Sequence, residues 1–108
     1  MRVKAGVLIN GIKPETLFAL MVTQEIFNTL LPGKEMTTTS IVDGVHSAGS
    51  KHYIGYAFDL RDNTLSTPEK ASLVSELKAR LTAEYDVIQE ATHIHVEFDP
   101  KRAMNVKS

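Results

Sequence analysis

The chain has 108 residues, a formal net charge of -1 and 43% hydrophobic residues, which suffices for one compact domain around one core and is too little for two. No basic excess is present to hold a phosphate backbone, so nucleic acid is not an expected partner. With no cysteine, no disulfide can form and any bound metal must be held by nitrogen and oxygen.

The first segment, Met1 to Gly11, carries Arg2 and Lys4, and its apolar stretch is too short and interrupted for a signal peptide or a membrane span. The expectation is a monomer without a membrane partner, made and kept in the cytoplasm unless something else releases it. No repeat and no low-complexity stretch divides the chain.

From Pro14 to Leu31 the apolar residues Leu17, Leu20, Met21, Phe27 and Leu31 recur at helical steps. Pro14 suits the start of a helix and Pro32-Gly33 its end, which predicts a helix laid against a sheet. Glu35 to Val42 is rich in β-branched residues and reads as a strand running into the turn signal Asp43-Gly44. Asp43 to Lys51 is a polar loop.

Tyr56 to Leu60 follows as a strand with Tyr56, Phe58 and Leu60 on one face and Ala57 and Asp59 on the other. Arg61 and Asp62 read as exposed charges that end it. Thr67-Pro68-Glu69 has the order of an N-cap, a first-turn proline and a first-turn acid, and Leu73, Val74, Leu77 and Leu81 form the buried stripe of a second helix ending near Ala83.

Tyr85 to Gln89 and Thr92 to Phe98 are two strands separated by little more than Glu90-Ala91, as in a hairpin, with Asp99-Pro100 closing the second. The last eight residues read as a loose tail. The fold class is therefore α+β: a small, mostly antiparallel sheet flanked by two helices.

In Thr92 to Phe98 the apolar Ile94, Val96 and Phe98 alternate with His93, His95 and Glu97, so period two sets both histidines opposite the core. Taken alone, this is an ordinary solvent-facing strand, and Glu97 reads either as a partner that orients an imidazole or, the favoured reading, as a solvated charge. A hydrolytic zinc site, however, takes typically three protein ligands and leaves a position open for water. His52, Asp59 and His95 supply such a set, with Gly55 as the place where the backbone bends between the first two.

The stretch Ser50-Lys51-His52-Tyr53-Ile54-Gly55-Tyr56-Ala57-Phe58-Asp59 resembles the S-x-H-x-x-G-x-A-x-D signature of the zinc D,D-carboxypeptidases and L-alanyl-D-glutamate peptidases. His93-Ile94-His95 is similar to the later H-x-H of that superfamily. From His46 to Asp59 the chain also resembles the hedgehog signalling domain, position by position, in H-S-x-x-S-x-H-Y-x-G-x-A-x-D.

The resemblance implies a hedgehog/DD-peptidase-like fold with zinc on His52, Asp59 and His95. It places His93 beside the metal and His46 as a second polar neighbour of the bound water, and it makes Glu90 the general base. A second register stays open: Glu90-x-x-His93 has the spacing of another branch, in which His93 is the ligand. Around Val42-Asp43-Gly44 the arginine that many cell-wall peptidases use for the substrate carboxylate is missing.

The implied function is zinc-dependent hydrolysis of peptidoglycan stem-peptide bonds bearing a D-amino acid, in the manner of a phage endolysin or a cell-wall carboxypeptidase. The alternative from a different class is a catalytically weak, zinc-stabilised binding module of the hedgehog kind.

Overall fold

The computed structural model describes residues 1–4, 12–41 and 56–99. The elements are β1 (Arg2–Val3), α1 (Pro14–Leu30), β2 (Thr37–Ser40), β3 (Ala57–Arg61), α2 (Thr67–Arg80), β4 (Tyr85–Gln89) and β5 (His93–Phe98). The architecture is α+β, with a sheet of strand order β1-β2-β3-β5-β4 that is larger than the small sheet expected. Every neighbouring pair is antiparallel except β1 and β2, which run parallel.

One face of the sheet carries the core. Phe58, Leu60, Ile94, Val96 and Val87 project from the central strands and meet Leu20, Ile26 and Phe27 of α1 and Leu73 and Leu77 of α2. The alternation read in the sequence therefore sorts the strands as expected: apolar positions pack under the helices, and the intervening polar ones face away. Tyr85 ties the far edge to α1, its hydroxyl donating to the Glu15 carbonyl at 2.8 Å.

Several expectations are corrected. Leu20, Phe27 and Leu31 are buried, but Leu17 and Met21 of α1 are 49% and 63% exposed, and Thr16, Ala19, Thr23 and Ile26 complete the buried stripe. Helix α2 is capped by Ser66 rather than Thr67, since Ser66 and Glu69 complete a reciprocal capping box at 2.7 and 3.2 Å.

Leu81 forms the C-cap of α2, so the helix stops short of Ala83. Val74 only borders the core. Asp62 is not an exposed strand end: it is 2% exposed and lies 3.8 Å from Lys70 of α2. The chain turns inward there, and the helix supplies the countercharge that a buried carboxylate requires.

Strand β1 had no counterpart in the sequence reading. It is a two-residue parallel addition to β2, too short to leave a periodic trace. The expected tail falls among residues 100–108, outside the described residues. No helix among the described residues is long and apolar enough to cross a membrane.

Candidate metal centre on the polar face of the sheet

The register between β3 and β5 builds the site. Asp59 stands opposite His95, Arg61 opposite His93 and Ala57 opposite Glu97, all on the face away from the helices. Residues distant in sequence meet here because directly opposed side chains in an antiparallel pair lie within about 5.5 Å at their Cβ atoms.

Asp59 is the hub. Its Oδ1 lies 2.9 Å from His95 Nδ1 and 3.6 Å from His93 Nε2. The other ring nitrogen of His95, Nε2, lies 2.9 Å from Glu97 Oε1. His95 is thus held between two carboxylates, with its side chain only 14% exposed.

In the metal-free protein this clamp favours the imidazolium, which donates on both sides. The bond to Asp59 is the largest influence, burial opposes it and Glu97 adds to it, and the result lifts the His95 pKa from 6.5 to about 9.

Glu90 and His93 form a second pair at the hairpin end. The Glu90 amide donates to the His93 carbonyl at 2.8 Å, closing the turn, and the Glu90 carboxylate meets His93 Nε2 at 2.5 Å. Thr92 Oγ1 stands 3.1 Å from His93 Nδ1, so both nitrogens of that ring are engaged. Of the two histidines, His95 is nearer Asp59 and more enclosed, while His93 is turned toward Glu90.

The donor chemistry suits a zinc ion. A carboxylate oxygen and an imidazole nitrogen already face each other, and a further carboxylate holds the remote nitrogen of the ring, as is usual for a metal-bound histidine. His52 and His46 lie outside the described residues, so of the expected ligands the structure brings together Asp59 and His95. It also gathers the expected neighbours Glu90 and His93 around them.

Two participants differ from the sequence reading. Glu97 is not a solvated charge: its side chain is 22% exposed and bonded to His95. The signal was available, since Glu97 shares the period-two face of His95. Ser40, by contrast, was not anticipated. It stands opposite Asp59 across a register irregularity in β2, and its Oγ is buried without a hydrogen-bond partner among the described residues.

Beside this centre Asp86, Glu97 and Asp99 bring carboxylate oxygens within 4.8 Å of one another. All three are half-buried, and Glu97 is engaged with His95. Comparison with family profiles, with curated proteins and with solved structures finds no match to this chain.

Proposed function

We propose that the chain is a zinc-dependent peptidase of the hedgehog/DD-peptidase type that hydrolyses peptidoglycan stem-peptide bonds containing D-amino acids. The observation that carries the proposal is the meeting of Asp59 Oδ1 and His95 Nδ1 at 2.9 Å with Glu97 on the other ring nitrogen. It is joined to the S-x-H-x-x-G-x-A-x-D and H-x-H resemblance, which names these same two residues as ligands together with His52.

A zinc ion held by His52, Asp59 and His95 would supply a bound water of near-neutral pKa and a Lewis acid for the scissile carbonyl. The residues of the chain do the rest. Glu97 fixes the ring of His95 so that Nδ1 faces Asp59. Glu90 accepts the water proton and passes it to the leaving amine nitrogen. His93, bonded to the Glu90 carboxylate, anchors that group at the hairpin turn beside Asp59. His46 is assigned as polar neighbour of the water on the resemblance alone.

The close Glu90–His93 contact also favours a second reading, a zinc-stabilised binding module, because a carboxylate already engaged with an imidazole has to leave that contact before it can reach a bound water. Replacing Glu90 by Gln separates the two. The peptidase loses hydrolysis of D-alanine-containing peptides while keeping its zinc; absence of turnover by the zinc-loaded wild type supports the module.

Metal analysis tests what the readings share. We expect one zinc per chain, removed by chelator and lost in His52→Ala or Asp59→Ala. A purified protein that takes up no zinc overturns both.

A further inference from the structure

Of the two outer strands of the sheet, β1 has two residues and β4 has five. β4 pairs with β5 in an unbroken register and carries no proline, bulge or basic residue of the kind that commonly closes an edge.

The pairing fixes which backbone groups of β4 face outward. The Glu90 amide donates to the His93 carbonyl at 2.8 Å and the Asp99 amide to the Glu84 carbonyl at 2.6 Å, so residues 84 and 90 bond toward β5. Bonded and non-bonded pairs alternate in an antiparallel ladder. Asp86 and Ile88 therefore turn their backbone groups to β5 as well, while Tyr85, Val87 and Gln89 turn theirs to the open edge. The Tyr85 amide is taken by the Thr82 carbonyl at 3.0 Å. The Tyr85 carbonyl and both groups of Val87 and Gln89 have no backbone partner among the described residues.

A groove of about 370 Å³ runs beside these groups, walled by Lys78, Thr82 and Ale83 on one side and by the strand on the other. On the face turned from the helices Ile88 is 46% exposed, and Asp86 precedes it in the same row. Period two continues that row to Glu84, and carboxylate oxygens of Glu97 and Asp99 lie within 4.8 Å of one on Asp86. The row thus runs apolar, acid, acid from Ile88 back to Glu84.

A second copy of the chain fits this edge poorly. Two-fold pairing centred on Val87 sets Glu84 opposite Glu90 of the other copy, and pairing centred on Ile88 sets Asp86 opposite Glu90. Like charges directly opposed across a ladder are destabilising.

We propose that the β4 edge takes up an extended segment of another polypeptide as a sixth, antiparallel strand, with an aliphatic residue against Ile88 and a basic residue against each of Asp86 and Glu84. Read from its N-terminus, the segment has the pattern aliphatic-x-basic-x-basic. Main-chain bonds to Tyr85, Val87 and Gln89 give the affinity, and the alternate side chains give the choice of partner. Docking at this edge does not depend on the zinc centre.

The test uses the full chain and acetyl-Thr-Val-Thr-Lys-Thr-Lys-Thr-amide, with binding followed by backbone amide chemical shifts. Saturable shifts at Val87 and Gln89 are expected below about 1 mM peptide. Methylating the nitrogen of the threonine between valine and the first lysine removes the donor to the Val87 carbonyl and lowers affinity about tenfold. Glutamate in place of both lysines turns two attractive cross-strand pairs repulsive and lowers it by a similar factor. Gln89→Pro removes an outward amide at an edge position where proline is tolerated, and it weakens binding likewise. Glu84→Lys shifts the preference toward the glutamate peptide.

No saturation by about 1 mM peptide overturns strand addition at β4. Equal binding of the methylated peptide does so too, since charge attraction alone would then hold the ligand, and equal binding of the lysine and glutamate peptides removes the stated partner chemistry. A concentration-dependent dimer in sedimentation that Gln89→Pro abolishes makes a second copy the occupant and overturns the proposal. Should Gln89→Pro fail to fold, the methylated peptide against wild type decides the same question.

Discussion

Replacing Glu97 by Gln keeps the size of the side chain and removes its charge. Glu97 Oε1 lies 2.9 Å from His95 Nε2 and its side chain is 22% exposed, so the bond is partly shielded from water. A hydrogen bond to a charged group contributes about 1.5 to 3 kcal/mol and a neutral one about 1, so the substitution forfeits about 1 to 2 kcal/mol of His95 orientation. Loss of such a partner typically lowers metal affinity about 10- to 100-fold, which overlaps that range. The assay is a competition titration of zinc against a chromophoric chelator at fixed pH. Glu76→Gln serves as control: it removes an equal charge from the exposed Glu76–Arg80 pair on α2. Zinc affinity within twofold of wild type for Glu97→Gln, or an equal fall in the control, refutes the assignment of Glu97 to the centre.

The raised pKa of His95 sets a pH dependence for the chelator-treated protein. The folded value, about 9, lies above the ordinary 6.5, so the stabilisation is fully present below 6.5 and is lost as pH rises through 9. The unfolding free energy from urea titrations should fall across that window by at most about 3 kcal/mol, and a flat or rising profile contradicts the clamp. Ser66→Ala removes half of the α2 capping box and should cost about 1 kcal/mol in thermal or urea unfolding. Leu77→Ala empties a fully buried core position and should cost about 2 to 5 kcal/mol, whereas Leu17→Ala, on the exposed side of α1, should cost little by the same assay.

Periodicity carried most of the fold. In β3 and β5 the alternation of Phe58, Leu60, Ile94 and Val96 with Asp59, His93 and His95 is the physical signature of one buried and one polar face. What sequence cannot show is which strands become neighbours. Asp59 and His95 stand in register because β5 inserts between β3 and β4, and no local pattern encodes that choice. On α1 the helical steps mark Leu20, Phe27 and Leu31, which go inside, yet Leu17 and Met21 stay out while the less apolar Thr16, Ala19 and Thr23 are buried, since spacing alone does not say which side of a broad apolar stripe meets the sheet. Glu97 was legible as a member of the histidine face, yet its bond to His95 depends on the ring's orientation, which is settled only when Asp59 arrives from the other strand.

The irregularity in β2 shows how the site recruits a residue against the local pattern. Thr38 pairs with Leu60 on the core side, and a regular strand would keep Ser40 on that side too. The extra residue between them instead places Ser40 opposite Asp59, while Ile41 returns fully buried to the core. Bulges commonly re-aim a side chain in this way beside a functional centre. The outcome carries a cost, since a buried hydroxyl without a partner is unfavourable by about 1 to 3 kcal/mol. That cost is offset if the hydroxyl donates to the Asp59 carboxylate once Asp59 turns from His95 toward a bound ion. Ser40→Ala should therefore stabilise the chelator-treated protein in urea while weakening zinc binding about tenfold, and Ser40→Thr should hold zinc nearly as wild type does. Unchanged zinc affinity in Ser40→Ala would make the bulge a packing feature of β2 and nothing more.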